Sequence, residues 1–371
     1  MMRHLLFACR LPLLLAIFLF LPSISMAFKT ENILFVMTDG VRWHEAFNGA
    51  DPDLMPAEDG KGDDSASLKK KYWRDTPEQR REALMPFTWK TVVPNGQIFG
   101  NRAKGSEAHV SNGFNFSYPG FNEALTGYGD PRVNSNDKTP NPNISVFEWL
   151  NRMPEFSGKT GAFAAWDVFP FIFNAERCGF PVNAGFDAMT QGKINTRIEL
   201  LNRLKVESAR PWGGEPYDCL TYHTAFEWLK ENHPRLFFLA LGETDEWGHA
   251  GNYKEYLDGI RRYDMYVQEL WETVQSLPQY KDKTTLILST DHGRGAGPED
   301  WKSHGQEIKF SEQIWMAWMG PDTPALGERS QVEAVTLSQV AATIATLLGK
   351  DFNQFSPQAG KPIASVISKN Q

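Results

Sequence analysis

Five short apolar runs recur along the chain and constrain its fold more than any other sequence feature. They are rich in branched and aromatic residues, which predicts buried strands at Ile33 to Met37, Gly161 to Trp166, Leu236 to Leu241, Thr285 to Ser289 and Ile314 to Met319. Helical patterns lie between them, at Ser145 to Arg152, Tyr253 to Ser276 and Leu337 to Leu348. The alternation favours an α/β fold with a mostly parallel central sheet and helices on both faces.

Length and charge narrow the class of protein further. With 371 residues, 41% of them hydrophobic, the chain can bury the core of a single large α/β domain that carries insertions. The formal net charge is -7, and no stripe of basic residues alternates with aromatic residues. We therefore expect no nucleic-acid-binding surface.

The N-terminus has the pattern of an export signal. An apolar stretch over residues 11–21 is followed by small residues at Ser25 and Ala27, which predicts a signal peptide over residues 1–27. The alternative is an uncleaved membrane anchor, but prolines at both ends leave a run shorter than the roughly 20 residues that a spanning helix needs. We expect an exported protein, periplasmic or secreted, whose mature chain starts near Phe28 and has no membrane span.

Two segments of the catalytic domain, which we place at residues 28–371, differ from the strand and helix pattern. The segment at about 51–96 is highly charged, and that at about 174–216 is rich in Gly, Pro and Asn. We interpret both as cap insertions near the site. In an oxidising compartment, Cys178 and Cys219 could form a disulfide.

Polar motifs follow three of the predicted strands. Asp39 follows the first, Asp245 and His249 stand four residues apart after the third, and Asp291-His292 ends the fourth, with His304 twelve residues further on. In open α/β sheets, functional side chains gather at the carboxyl ends of strands. Oxygen and imidazole ligands without sulfur suit zinc, with manganese as the alternative.

These motifs also resemble a known family in their order along the chain. Asp39-Gly40, Ser117-Tyr118-Pro119 with Thr126-Gly127, Asp245 to His249, Asp291-His292-Gly293 and His304-Gly305 are similar to the motifs of the alkaline phosphatase superfamily, most closely its nucleotide pyrophosphatase/phosphodiesterase branch. The resemblance implies two divalent metal ions. Asp245, His249 and His304 would hold one, while Asp39, Asp291, His292 and the Ser117 hydroxyl would hold the other.

The same resemblance implies that Ser117 is the nucleophile. A serine hydroxyl is a weak nucleophile at neutral pH, and a divalent cation can stabilise its alkoxide. Contacts to the substrate are less defined: Asn122, Asn115 or Asn112 could supply an amide donor, and Arg42 could bind a phosphate oxygen by a charge-assisted bond.

The sequence thus predicts an exported two-metal hydrolase of small phosphate esters that works through a phosphoserine intermediate. Monoesters and diesters both remain open as substrates. A sulfatase is one alternative, although the sequence from Ser117 to Phe121 lacks the arginine of the sulfatase motif. A phosphomutase or phosphotransferase on the same fold and a metal-stabilised binding module are others. The sequence does not define the oligomeric state.

Overall fold

The computed structural model describes residues 28–55 and 63–368. The predicted signal peptide at residues 1–27 lies outside the described residues and stays a prediction. The strands are β1 (Asn32–Thr38), β2 (Gln97–Phe99), β3 (Ala108–His109), β4 (Thr160–Ala164), β5 (Val182–Ala184), β6 (Leu236–Leu241), β7 (Thr284–Thr290), β8 (Met316–Met319), β9 (Gly327–Glu328) and β10 (Val335–Thr336).

The helices differ widely in length, and the longest, α11, has 24 residues. They are α1 (Trp43–Asn48), α2 (Asp63–Tyr72), α3 (Pro77–Leu84), α4 (Ser117–Thr126), α5 (Val146–Asn151), α6 (Phe169–Ile172), α7 (Ala175–Cys178), α8 (Thr196–Glu207), α9 (Asp218–Asn232), α10 (Glu243–His249), α11 (Tyr253–Ser276), α12 (Gly297–Asp300), α13 (Val340–Leu347) and α14 (Phe352–Phe355). A π-helix at Thr88–Val92 and short 3₁₀ helices at Arg102–Lys104, Leu337–Gln339 and Ala364–Val366 complete the set.

An eight-stranded sheet forms the centre of the fold, in the order β5-β4-β6-β1-β7-β8-β2-β9. Neighbouring strands from β5 to β7 are parallel, whereas β8 runs antiparallel to both β7 and β2. The predicted α/β fold with a mostly parallel sheet is confirmed. β10 and β3 form a separate two-stranded sheet.

Both faces of the sheet are buried. On β6, Leu236, Phe238 and Ala240 pack into one hydrophobic core, while Phe237, Leu239 and Leu241 pack into the other. Successive side chains of a strand point to opposite faces, so a strand covered on both sides is apolar at every position. This burial explains why the strand runs lack the polar alternation of a half-exposed sheet.

Several helix boundaries follow from local capping chemistry. The α3 helix starts at Pro77 after Thr76, whose side chain accepts a hydrogen bond from the backbone of Gln79. A capping box between Thr336 and Gln339 opens the helical segment that continues into α13. The α11 helix has the same bounds as the predicted pattern, Tyr253 to Ser276.

The two predicted insertions contain regular elements. The described part of the first holds α2 and α3, and α3 packs with α1, α2 and α11. The second holds α7, β5 and α8, and its last residues lie beside α9 and α10. Their role as caps stays a prediction. Among the described residues, both Cys178 and Cys219 are free thiols, so the disulfide that the sequence left open is not formed.

No described helix is both long enough and apolar enough to cross a membrane.

Candidate metal centre

The register of the sheet brings the polar motifs together. β1 lies between β6 and β7, and Thr38, its last residue, is level with Leu241 on one side and Thr290 on the other. Asp39 and Asp291 follow directly after Thr38 and Thr290. The α10 helix starts just beyond Leu241 and carries Asp245 and His249 one turn apart.

Three side chains form a first group, which we call the Asp245 set: Asp245, His249 and His304. Asp245 Oδ2 lies 3.0 Å from His249 Nε2, and His249 Nε2 lies 3.0 Å from His304 Nε2. Asp245 Oδ1 and His304 Nε2 are 3.6 Å apart. Ligand atoms of one tetrahedral zinc ion lie roughly 3.3 Å apart, since the bonds are about 2.0–2.1 Å long. The set therefore has the spacing of ligands around one ion.

Four side chains form a second group, the Asp39 set: Asp39, Asp291, His292 and Ser117. From His292 Nε2, Asp39 Oδ1 is 3.2 Å away, Asp291 Oδ2 is 3.5 Å away and Ser117 Oγ is 3.4 Å away. These distances again fit the ligands of a single ion. His292 Nε2 also lies 3.9 Å from Asp245 Oδ1, so His292 borders both sets.

Two of the histidines are oriented by backbone carbonyls. His292 Nδ1 donates a hydrogen bond to the Gly293 carbonyl at 2.8 Å, and His304 Nδ1 lies 3.4 Å from the Asn115 carbonyl. A carbonyl only accepts, so the ring proton is on Nδ1 and the Nε2 lone pair is free. This arrangement is typical of metal-binding histidines. Burial also lowers the pKa of His292 to about 4, which keeps its imidazole neutral.

Each carboxylate of the Asp39 set has one oxygen without a hydrogen-bond partner among the described residues. Asp39 Oδ1 and Asp291 Oδ2 are buried and accept no hydrogen bond among the described residues. Burial, followed by the Asp245 carboxylate, raises the pKa of Asp39 to about 8, and burial with Asp39 raises the pKa of Asp291 well above its usual range. Buried carboxylates are unfavourable unless a cation compensates them. The Asp39 set therefore fits a divalent ion in chemistry as well as in spacing.

Ser117 reaches the centre because α4 packs directly against the end of β7. Ser117 is the first residue of α4, at the positive end of the helix dipole. Gly120, one turn further on, faces Asp291 so closely that a Cβ at this position would lie 2.3 Å from the Asp291 carbonyl oxygen. The close approach of this glycine places Ser117 beside His292.

A buried arginine that the sequence analysis missed also belongs to the centre. The Arg294 guanidinium pairs with Asp245 Oδ1, and the Arg294 side chain is fully buried. Burial alone would raise the pKa of Asp245, but Arg294 and then His304 hold it well below its usual range. The position of Arg294 two residues after His292 was the one available signal.

Glu215 is a second residue that the sequence analysis missed. It is buried, its Oε1 has no hydrogen-bond partner among the described residues, and it packs on Gly242, just before α10. Burial, followed by Asp39 and Glu246, raises the pKa of Glu215 well above its usual range. The end of the second insertion therefore contributes a carboxyl group to the surroundings of the centre.

The structure does not support the two predicted substrate contacts. Asn122 is fully buried, donates to the Tyr128 carbonyl and accepts from the Asn141 and Asn143 amides, so its side chain is used inside the protein. Arg42 is also buried and pairs with Glu45 and Asp51. Both side chains already have partners inside the protein, although Arg42 also lines the cleft beside Arg294.

The other two asparagines differ from each other. Asn112 is held by Glu123 and by the backbone of Phe114 and Asn115. Asn115 stands two residues before Ser117 in the left-handed conformation, with φ 56°, and its carbonyl faces His304. Of the three asparagines, Asn115 is thus the one whose backbone lies at the centre.

A small cleft of about 140 Å³ opens beside Arg294. It is lined also by Trp43, His44, Phe310 and Gln313, and Trp43 Nε1 donates a hydrogen bond to Gln313 Oε1. Phe310 has a φ of 75°, which is unusual for a bulky side chain and indicates local strain. The cleft therefore offers two aromatic surfaces next to the Asp245 set.

Comparison with known proteins relates the chain to a family of metalloenzymes. Residues 188–351 match the family model described as the Metalloenzyme superfamily. No curated protein matches the chain by sequence. Among solved structures, alkaline phosphatase PafA is 14% identical with a TM-score of 0.59, over 92% of this chain and 99% of that chain.

Two further structures share the fold. The lipoteichoic acid synthase LtaP from Listeria monocytogenes is 12% identical with a TM-score of 0.53, over 87% of this chain and 73% of that chain. A 2-O GAG sulfatase is 13% identical with a TM-score of 0.52, over 92% of this chain and 75% of that chain. These findings do not single out the nucleotide pyrophosphatase/phosphodiesterase branch, which stays a prediction. Residues 188–351 are thus similar to the Metalloenzyme superfamily, and the chain shares its fold with these three structures.

Proposed function

We propose that the protein is a metal-dependent hydrolase of phosphate esters in which Ser117 is the nucleophile. The observation that carries the proposal is the position of Ser117 Oγ, 3.4 Å from His292 Nε2 and in one set with two buried carboxylates, each of which has an oxygen without a hydrogen-bond partner among the described residues. Two divalent ions, held by the Asp245 and Asp39 sets, would supply electrostatic stabilisation to the serine oxygen and to the leaving oxygen.

The residues around Ser117 favour its reaction as an anion. As Ser117 Oγ forms a bond to phosphorus, the bond from phosphorus to the leaving oxygen breaks, and water then cleaves the phosphoserine. The N-terminus of α4 favours negative charge at Ser117. His292 keeps its proton on Nδ1, so its Nε2 presents a lone pair to the centre and not a competing proton.

Two side chains near the first turn of α4 could contact the transferring group. Asn115 adjoins the Ser117 turn and could donate from its amide to a phosphate oxygen. Lys138 lies on a loop whose Asn136 side chain accepts a hydrogen bond from the Tyr118 backbone, so this loop contacts the first turn of α4. The Lys138 ammonium pairs with Asp167, at the carboxyl end of β4. A cation at this edge would favour a dianionic monoester over a diester.

The cleft beside Arg294 suits the organic part of the substrate. Its walls include the Trp43 and Phe310 rings, and Gln313 supplies a polar group. Pockets of this kind, with aromatic walls and few polar groups, commonly bind the non-reacting part of a ligand.

The test compares turnover of p-nitrophenyl phosphate, bis(p-nitrophenyl) phosphate and p-nitrophenyl sulfate by the zinc-loaded protein. Ser117→Ala should abolish phosphate-ester turnover, while the protein stays folded and the Asp245 set stays loaded. Ser276→Ala is the matched control, because among the described residues its hydroxyl donates only to the Thr273 carbonyl, at the exposed end of α11. Wild-type turnover by Ser117→Ala would refute the nucleophile assignment.

The substrate that the protein hydrolyses best distinguishes the phosphate-ester hydrolase from the alternative activities. Preferential turnover of the sulfate ester would replace the proposal with a sulfatase on the same fold. The ratio of diester to monoester turnover would show whether the second substituent is accepted. Added alcohol that raises p-nitrophenol release and yields a new phosphate ester would indicate phosphotransfer.

We also propose that the protein is exported, on the basis of the sequence of residues 1–27. N-terminal sequencing of the protein recovered from its producing cells should give a mature chain beginning near Phe28. A chain that retains residues 1–27 would contradict this.

A further inference from the structure

The Arg294 guanidinium makes three contacts, one to the Asp245 set and two to backbone carbonyls. Nη1 pairs with Asp245 Oδ1, Nε donates to the Trp301 carbonyl at 2.7 Å, and Nη2 donates to the Lys302 carbonyl at 2.6 Å. Two backbone acceptors therefore fix the plane of the guanidinium. Only one of its edges faces the centre, and that edge is occupied by Asp245.

Two glycines provide the space that the guanidinium occupies. A Cβ at Gly248, between Asp245 and His249 on α10, would lie 2.7 Å from Arg294 Cζ. A Cβ at Gly40 would lie 2.8 Å from Arg294 Nη1 and 2.5 Å from Asp245 Oδ1. A glycine inside a helix costs about 1 kcal/mol relative to alanine, so its place at position 248 needs a packing reason. Arg294 supplies that reason.

The two sets differ in whether a protein group already pairs with their carboxylate oxygens. In the Asp245 set, the guanidinium already uses Asp245 Oδ1, which leaves Oδ2 for an ion. In the Asp39 set, Asp39 Oδ1 and Asp291 Oδ2 have no hydrogen-bond partner among the described residues. A fixed positive charge beside the first set also repels a divalent cation, whereas the second set has uncompensated negative charge.

We propose that Arg294 is a positioning residue that makes the two metal sites unequal. It competes with the metal ion for Asp245, so the Asp245 site binds divalent cations more weakly than the Asp39 site. This inference rests on the two-metal centre of the proposed function. It adds that one ion is held firmly while the other exchanges, and that the Arg294 charge sets the difference.

The experiment measures Zn²⁺ binding by the full mature protein after chelation, in competition with a chromogenic chelator. The wild-type protein should show two classes of site whose dissociation constants differ at least tenfold. Arg294→Gln should tighten the weaker class at least tenfold and leave the tighter class unchanged. Arg294→Lys keeps the charge and should keep the weaker class weak, whereas a loss of packing would affect both variants alike.

Lys302→Gln serves as the matched control. It removes a positive charge from the residue whose carbonyl accepts from Arg294, but it leaves the guanidinium in place. The Lys302 side chain is 40% exposed, so its removal should change neither class of site by more than about twofold.

A second pair of variants tests the order of the sites without altering Arg294. Asp245→Asn should remove the weaker class, and Asp291→Asn should remove the tighter one. The inference is overturned if Asp245→Asn removes the tighter class, or if Arg294→Gln weakens or does not change Zn²⁺ binding. Two wild-type sites of equal affinity would also overturn it while leaving the proposed function intact. A wild-type protein that binds no Zn²⁺ would overturn both.

Discussion

Substituting Gly120 by alanine should displace the nucleophile without touching it. The added Cβ would lie 2.3 Å from the Asp291 carbonyl oxygen and 3.0 Å from the carbonyl carbon. Both atoms belong to backbone at the end of β7, which the sheet holds in place, so α4 must move instead. An ordinary contact requires a separation of about 3.5 Å, so the shift is on the order of 1 Å.

Ser117 lies on the same helix and moves with it. Its Oγ is 3.4 Å from His292 Nε2, and a shift of this size removes it from the reach of the Asp39 set. Misplacement by about 1 Å can lower a rate 10²-fold, so we expect kcat for p-nitrophenyl phosphate to fall by about that factor. Overpacking should also cost about 1–3 kcal/mol of stability, which urea unfolding would measure. Zinc bound by the Asp245 set should be unchanged.

Gly158→Ala is the control, because it should also lower stability but creates no steric collision. Gly158 has a φ of 70°, and a Cβ there would meet nothing within 4 Å, so this variant should lose about 1 kcal/mol of stability and keep its kcat. If Gly120→Ala also kept the wild-type kcat, the packing of α4 on Asp291 would not be what positions Ser117, and the reasoning would be wrong.

Three further predictions concern the centre and a buried lysine. Chelation of the metal should lower the midpoint temperature of unfolding, because an ion present at 1,000 times its dissociation constant adds about 4 kcal/mol to the free energy of unfolding. An unchanged midpoint in differential scanning fluorimetry would contradict a resident metal. Asn115→Ala and Asn115→Gly should both lower kcat/KM on the order of 10²-fold if the amide contacts the phosphate, whereas a loss confined to the alanine variant would point to the left-handed backbone. Burial lowers the pKa of Lys205 to about 8, so between pH 8 and 10.5 the unfolded chain binds more protons than the folded one. Stability should therefore rise across this window by about 3 kcal/mol, and urea unfolding of Lys205→Met should show a smaller rise.

The elements that could be predicted from the sequence are those with a strong local signal. Leu236 to Leu241 is apolar at every position because both faces of β6 are covered, and the structure has the same bounds for this strand. Thr76 and Thr336 cap the helical segments that follow them, and this signal lies within four residues of each helix start. The direction of β8 had no such signal, because an antiparallel strand buried on both faces has the same apolar composition as a parallel one.

The residues of the candidate centre also fall into those that the sequence could predict and those that it could not. Asp245 and His249 stand one helical turn apart, and Asp39 and Asp291 each follow a strand, so their convergence was foreseeable from position alone. The failure of Arg42 has a local cause: Glu45 lies three residues further on, one turn along α1, and takes the guanidinium. Asn122 failed because it lies on a turn of α4 that is entirely buried, where Asn141 and Asn143 reach it from a distant loop.

The residues that were missed depend on contacts between distant segments. Glu215 comes from the end of the second insertion and reaches the centre only because that segment packs on Gly242. Arg294 was close in sequence to His292, but an arginine beside a metal motif has no fixed role. Its role depends on Gly248 and Gly40, which leave space for a guanidinium beside Asp245. The fit of one side chain into the space left by two distant glycines produces no recognisable pattern in a single sequence.

Several residues of the centre have a glycine in close contact. Most of these glycines are required because a larger side chain would not fit, and not because the backbone there adopts a conformation that favours glycine. The close pairs are Gly40 with Asp245, Gly120 with Asp291, Gly242 with Glu215, and Gly248 with Arg294. Of these glycines, only Gly40 has a positive φ. The other three have backbone conformations open to any residue, so a substitution there would cost stability through collision rather than through strain. Each collision is with a different group, so a substitution at each glycine should disturb a different part of the centre. A substitution at position 120 should displace the nucleophile, and one at position 248 should displace the charge beside Asp245. Substitution of a metal ligand, in contrast, would change metal binding and catalysis together.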